Sequence, residues 1–455
     1  MKKLQKLALL FSVLFATFSC GEDDSDGGSV TPKETFATSE ANGVVTVQGS
    51  TSGNVTFSEN KKYLLKGFVY VKSGATLTIE PGTVIKGDKA SMATLIIERG
   101  AKIMAQGTAQ KPIVFTSNQA VGSRAAGDWG GVIILGAAPT NLPSDNAKIE
   151  GGVDRPYGGT NATDNSGVLS YVRIEFPGIA FQPDNEINGL TLGGVGSGTK
   201  LDHVQVSFSG DDSFEFFGGT VNAKHLIAYK TVDDMFDTDN GYSGHVQYAL
   251  GIADPNVADA SGSNGFESDG DAQGSDNTPK TAAVFSNVSL FGPRATGSTT
   301  VNGNFKRAMH IRRNSSISVY NSLFAGWPVG LLLDGTKSQA NATAGTLKIQ
   351  NTIISGTPSA GTLTVESGST YDVATWFNAA GKNNLVVGDN NTLGIAGSFN
   401  QTARPDFSIG TQLQTGASFT GMNSFFTNGT YLGAFANGQD WTAGWANFDP
   451  KNTAY

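Results

Sequence analysis

The 455-residue sequence predicts an all-β fold, a solenoid in which one chain winds through stacked parallel coils. Three observations predict it. The stretch from Leu201 to Gly270 repeats itself: Ser213-Phe214-Glu215-Phe216-Phe217-Gly218, Met235-Phe236-Asp237-Thr238-Asp239-Asn240 and Gly265-Phe266-Glu267-Ser268-Asp269-Gly270 align Phe on Phe and carboxylate on carboxylate, at spacings of 22 and 30 residues. Short runs of alternating apolar residues are separated by Gly, Asn, Asp and Ser, with no long helical period. The 59 glycines beside only 15 % charged residues fit many tight turns rather than disorder. A solenoid lengthens along one axis, so this chain length need not mean several domains.

The chain begins Met1-Lys2-Lys3-Leu4-Gln5-Lys6, continues with a mostly apolar run from Leu7 to Phe18, and reaches Ser19-Cys20. A basic start, a short apolar core and a small residue make residues 1–19 a secretory signal, and the apolar run is too short for a permanent span. Cys20 is the only cysteine, so no intramolecular disulfide can form. The segment resembles the leader of bacterial lipoproteins, with Thr17 where that leader usually has Leu. The resemblance implies that Cys20 carries a lipid that anchors the protein to a membrane without spanning it. Gly21-Glu22-Asp23-Asp24-Ser25-Asp26-Gly27-Gly28 is too polar to bury a core and reads as a solvated tether. It is similar to the acidic export signal of Bacteroidetes surface lipoproteins, which implies an outer-membrane address facing the cell exterior. Residues 20–60 are therefore lipidated Cys, tether and lead-in, and no later stretch is apolar for long enough to cross a bilayer.

Loss of Lys2, Lys3 and Lys6 with the leader leaves 28 basic and 39 acidic side chains, a net charge of −11. An acidic surface argues against nucleic acid and anionic headgroups as partners and suits cations.

The solenoid is expected over residues 61–360. Ala75-Thr76-Leu77-Thr78-Ile79-Glu80-Pro81-Gly82 returns 18 residues later as Ala93-Thr94-Leu95-Ile96-Ile97-Glu98-Arg99-Gly100. From Ser170 a polar ring or amide followed by alternating apolar residues recurs at Tyr171, His203, His225, His245, Asn287, Asn321 and Asn351. Spacings of 20 to 42 residues predict loops of unequal length leaving one corner, among them Ala253 to Asn264 and Ala272 to Lys280. In-register stacking at about 4.8 Å places Phe214, Phe236 and Phe266 in an interior aromatic ladder and the Asn residues in a corner ladder. Residues 361–455 lose the repeat; Trp376-Phe377, Phe425-Phe426, Trp441, Trp445 and Phe448 are expected to cap the open end.

Here the sequence resembles the right-handed parallel β-helix superfamily of secreted bacterial proteins; the handedness is implied by that resemblance and by crossover chirality. The segments from Gly210 to Gly219 and from Asp233 to Asp237, with Asp440-Trp441-Thr442-Ala443-Gly444-Trp445, resemble a family of outer-membrane β-helix lipoproteins often found beside TonB-dependent transporters. That resemblance covers most of the chain after about residue 60 and implies a fold and an address, but no chemistry.

The stacked carboxylates are the candidate site: Asp211, Asp212, Glu215, Asp233, Asp234, Asp237, Asp239, Glu267 and Asp269. Unit charges about 5 Å apart repel by roughly 0.8 kcal/mol in water and about 3 kcal/mol at an effective dielectric near 20. A cation, raised carboxyl pKa values, basic partners or backbone N–H groups must offset that. Lys and Arg are absent from Val204 to Ala223, and Arg312 is expected over Glu267 in a later coil. Hard oxygen ligands in this number favour Ca²⁺ over zinc or copper; the other reading is that these Asp residues cap turns. His203, His225 and His245 align as a zinc triad or as a corner ladder.

Right-handed β-helices include pectate lyases and polygalacturonases. Gly210-Asp211-Asp212 resembles the paired-acid motif of polygalacturonases. Asp237-Thr238-Asp239 follows the pair where their Asn-Thr-Asp precedes it; Gly244-His245-Val246 only approaches their Gly-His-Gly. Their Arg-Ile-Lys and the pectate lyase Arg-x-Pro-x-x-Arg are absent. The expected function is non-catalytic: a surface lipoprotein that binds a glycan or other small ligand, or serves a transporter. The alternative is a polysaccharide-degrading lyase or hydrolase using Asp211, Asp212, Asp233 and Asp234.

Overall fold

Each coil is held by the next because inward residues at equivalent positions are alike and the backbones pair in register. The computed structural model describes residues 33–455 apart from 144–146, 183–184 and 403, so the leader, Cys20 and the acidic tether lie outside the described residues. Glu34–Tyr455 form one unit. Among the described residues 27 strands join one continuous parallel sheet system, opened by the antiparallel hairpin Ala37–Ala41 and Val44–Thr51. Parallel pairing begins with Val44–Thr51 on Lys62–Val71. The solenoid therefore starts inside the segment expected as a lead-in, ahead of residue 61. The strands there are rich in Gly, Ser and Thr, which hides them from an apolar-pattern reading.

The coils present three sheets. One, the acid sheet, stacks Thr94–Ile97, Val132–Leu135, Leu190–Gly193, Phe214–Phe217, Phe236–Asp239, Phe266–Ser268, Arg307–Ile311, Val329–Leu333 and Leu363–Val365. Phe214 pairs with Phe236 and Phe236 with Phe266, all buried inside; the first two rings stack at 5.3 Å. The other two sheets share long strands, Gly167–Glu175, Lys200–Ser207, Asn222–Tyr229, His245–Ile252 and Val284–Phe291. Each bends at one residue of left-handed backbone: Tyr171, His203, His225, Tyr248 and Asn287, followed by Asn321 and Asn351, with φ between 50° and 62°. L-residues avoid this region, and Asn enters it most readily.

Ring stacking offsets the strain where the bend is not Asn. Tyr171–His203, His203–His225 and His225–Tyr248 lie at 4.3, 4.1 and 5.0 Å. The register sets Tyr248, not His245, on His225, because Leu226 pairs with Ala249. His245 begins its strand three residues earlier and its Nδ1 meets Asn222 Oδ1 at 2.9 Å. The expected histidine triad therefore does not form.

The sheet beyond this bend is apolar on both faces. Ile227, Leu250, Leu323 and Ile353 point outward in one column, interrupted by Ser289, whose Oγ accepts from the Ala434 N–H of the C-terminal segment; Tyr229, Ile252 and Phe291 follow in the next. A sheet buried on both faces needs a cover. Residues 404–455 supply it by running back along the flank. Ser418 exchanges two hydrogen bonds with Asn321, Thr427 two with Gln247, and Asn447 two with Gln205. Trp441, Trp445 and Phe448 pack there, and Phe425-Phe426 against His245. Of the aromatics expected to close the end, Phe377 packs into the main core and Trp376 against its edge, while the others lie along the side. There they cover the outward apolar residues of that sheet.

Phe236 is fully buried between two rings of its ladder. Phe236→Ala should lower unfolding free energy by about 3–5 kcal/mol in denaturant titration; a loss under about 1 kcal/mol would mean the ladder packs loosely.

Candidate functional site

The acid sheet carries three columns of polar residues, one in the turns and two on the strands. In the turn before each strand stand Asn188, Asp212, Asp234 and Asn264, two residues ahead of Leu190, Phe214, Phe236 and Phe266. They form a side-chain-to-backbone ladder. The N–H of Asp212 donates to Asn188 Oδ1 at 3.2 Å, the N–H of Asp234 to Asp212 Oδ1 at 2.9 Å, and the N–H of Asn264 to Asp234 Oδ1. Each oxygen thus satisfies a donor of the next coil, so turn capping, one of the two expected roles, is present at Asp212 and Asp234.

The second column is on the strands. Thr191, Glu215, Asp237, Glu267 and His310 occupy successive coils in register. Asp211 and Asp233 flank the turn column, and loops bring in Glu150, Glu186 and Asp259. Together these groups line a cleft of 360 Å³, with Arg307, His310 and Arg312 at one end. Asp239 and Asp269 do not line it. They form a third column in which Asp239 is followed by Asp269 and then Arg312. Asp269 is tied to Arg312 Nε and Arg313, each at 2.7 Å. Arg312 also reaches Glu267, but from the neighbouring column: the residue over Glu267 is His310, not the expected Arg312, and His310 links Glu267 to Asp334 at 3.1 Å on each ring nitrogen. Basic groups therefore neutralise the Glu267 end. Lys230 faces the flank instead.

The remaining carboxylates are crowded; Asp212, Glu215 and Asp234 are buried, and Asp211, Asp233, Asp237 and Asp239 are half-buried. Burial, then Asp211, Asp234 and Asp237, pushes the Asp212 carboxyl well above its usual range. Burial with Glu150 and Asp237 does the same for Glu215, and burial with Glu267 and Asp269 for Asp237. Asp211 and Asp234 are raised by burial and by their acidic neighbours. Asp233 is pushed up to about 7 by burial, Asp259 and Glu267. Asp239 is also raised to about 7, by burial and Asp269. Glu267 runs the other way: burial raises it, but the His310 hydrogen bond and the Arg312 charge win.

Amides serve part of the cleft. Asn188 Nδ2 donates to Glu150 at 2.8 Å and to Glu215, while Asn264 Nδ2 donates to Asp234 and Glu267. Asp237 Oδ1 is sealed from water and has no hydrogen-bond partner among the described residues. Three trios offer oxygens within 4.8 Å of one another: Asp211, Asp212 and Asp233; Asp212, Glu215 and Asp237; Asp234, Asp237 and Glu267. Calcium–oxygen distances of about 2.3–2.6 Å let one ion touch oxygens that far apart. The donor set fits Ca²⁺: hard, anionic and free of nitrogen or sulfur on the two trios nearest Glu150.

The Asp202, His203 and His225 trio fits zinc poorly. Both Nδ1 atoms stand 2.8 Å from Asp202 Oδ1, but the rings are stacked 24° from parallel. Lone pairs in stacked planes do not converge on one tetrahedral ion.

The family model described as a pectate-lyase-like beta helix domain matches residues 49–446. No curated protein matches the chain.

With metal removed, the cleft should weaken the fold as pH rises. Unfolded carboxyls ionise near pH 4 and folded Asp233 near about 7, so the native state holds extra protons between. That stability is full below about pH 4 and lost as pH rises through about 7. Asp234→Asn keeps the ladder oxygen and removes a charge. In EDTA its melting temperature should exceed that of wild type above pH 7 and converge with it near pH 4. A gap that widens on acidification would refute this.

Proposed function

The chain belongs to the pectate-lyase-like β-helix family, and on that footing we propose that it is a calcium-binding surface protein whose acid cleft is an ion site rather than a reaction centre. The observation that carries this is Asp237: its buried Oδ1 lacks a partner and its carboxylate belongs to two of the three oxygen trios. A divalent cation there would meet the orphan oxygen and offset the repulsion among Asp212, Glu215 and Asp234. The protein would be held to the outer membrane by lipid on Cys20, facing outward on the acidic tether, and would bind a glycan or another small ligand or serve a TonB-dependent transporter. The leader, the lone Cys20 and the run from Gly21 to Gly28 support that address.

A second reading rests on the same groups. Burial and acidic neighbours push the Asp212 and Asp234 carboxyls well above their usual range, the direction that an acid–base pair of a polysaccharide-degrading enzyme needs. The missing family motifs favour the first reading. An enzyme would lose release of reducing ends on Asp212→Asn while keeping its melting temperature.

Added Ca²⁺ should raise the melting temperature of EDTA-treated protein, because binding to the native state alone stabilises it, by about 2.7 kcal/mol at a hundred times Kd. The shift should vanish in Asp237→Asn, which removes a carboxylate from two of the three trios, and persist in Lys451→Met. Equal shifts in wild type and Asp237→Asn, or none in wild type, would reject the ion site.

A further inference from the structure

A second cavity, of 640 Å³, lies on the flank where the C-terminal segment crosses the far bend of the coils. Its lining reverses the sign of the molecule. Lys230, Arg404 and Lys451 face it against Asp449, on a chain that carries −11 without its leader. The cations are held in different ways. Lys230 sits at a left-handed bend (φ 55°) and is nearly buried. Its ammonium lies 5.9 Å from the centre of the Phe208 ring and 5.3 Å from that of Tyr229. It donates to the Gln401 carbonyl at 3.2 Å and stands 3.8 Å from Asp254, which leaves an ammonium with three N–H groups short of close partners. Arg404 is fixed by Asp440 at 2.7 Å and lies over the Phe448 ring. Lys451 is anchored by its carbonyl, which accepts the Gly122 N–H at 2.8 Å, while its ammonium has no partner among the described residues.

The remaining lining is amide and aromatic. Gln401 Oε1 is buried and accepts no hydrogen bond among the described residues. Phe208 and Phe448 supply ring surface, and Asn447 and Asn452 further polar groups. Small-ligand sites of this size, about 300–1,000 Å³, combine apolar walls with a few fixed polar groups.

We infer that this pocket binds a small sugar bearing one oxyanion, a carboxylate or a phosphate. Lys230 and Lys451 would take the oxyanion, Gln401 and Asn452 the hydroxyls, and Phe448 or Phe208 the ring's apolar face; the Asn447 amide is already engaged with Thr453, Tyr455 and the Asp449 N–H. The site stands apart from the acid cleft and needs no metal. The carboxylate and the phosphate are distinguished by experiment rather than by the lining, because lysine meets either as a point charge.

The test is calorimetric titration of the purified full chain, in EDTA and at low salt, with glucuronate, glucose 6-phosphate and glucose. EDTA silences the acid cleft, so failure here and failure of the calcium reading are separate results. At least one anionic sugar should bind ten times more tightly than glucose, and the tighter of the two identifies the oxyanion. Lys451→Met, an exposed position, should weaken that binding at least tenfold with the melting temperature unchanged. Lys230→Met should do the same, and a fall in its melting temperature leaves the Lys451 result to decide. Absence of binding by both anionic sugars at millimolar concentration, glucose binding as tightly as they do, or undiminished binding by Lys451→Met would overturn the inference.

Discussion

Parallel, in-register stacking sets paired strands about 4.8 Å apart and puts each strand side chain against its counterpart in the next coil, and the rest of this structure follows from that constraint. It is favourable for Phe214, Phe236 and Phe266, whose rings fill the interior as one column. It is unfavourable for Glu215 over Asp237 over Glu267, and for Asp212 over Asp234. The chain meets the charge problem differently along its length. At the late coils Arg312 and Arg313 neutralise Glu267 and Asp269, and His310 hydrogen-bonds Glu267. In the turns, backbone N–H groups take the ladder oxygens. In the middle, around Asp237, the described residues supply neither, and that is where a cation has most to gain.

The same constraint shapes the bend between the other two sheets. One left-handed residue per coil must recur in one column. Asn fills it in the later coils, and Tyr171, His203, His225 and Tyr248 fill it earlier by stacking. Amides on this side then hold the C-terminal segment: Gln205, Gln247, Asn287 and Asn321 each bond its backbone. One lateral cover closes the apolar outer face of the sheet and leaves the cationic pocket at its margin.

Much of this was legible in the sequence because periodicity reports register. The Phe ladder and the carboxylate column follow from spacings of 22 and 30 residues, and the Asn corner from spacings of 34 and 30. Asn264 was legible too, since it stands two before Phe266 as Asp234 stands before Phe236. Glu150, Glu186 and Asp259 were not, because they arrive on excursions whose lengths obey no repeat. His245 misled because a polar ring before an apolar run marks both a strand start and a bend; only the backbone tells Tyr248 from it. The course of the C-terminal aromatics was hidden for a related reason. Trp441 and Trp445 show that apolar surface needs cover, and continuous runs such as Leu226-Ile227-Ala228-Tyr229 show where it lies, but nothing local joins the two.

The central claim is that a cation offsets the repulsion around Asp237. The most direct measurement is a crystal structure of the protein grown with Ca²⁺, using anomalous scattering to place the ion. The account predicts a peak bounded by Asp212, Glu215 and Asp237, or by Asp234, Asp237 and Glu267, with carboxylate oxygens at about 2.3–2.6 Å. Carboxylates paired with one another at hydrogen-bond distance, with no anomalous peak in the cleft, would contradict it and leave shared protons as the device that holds the stack together.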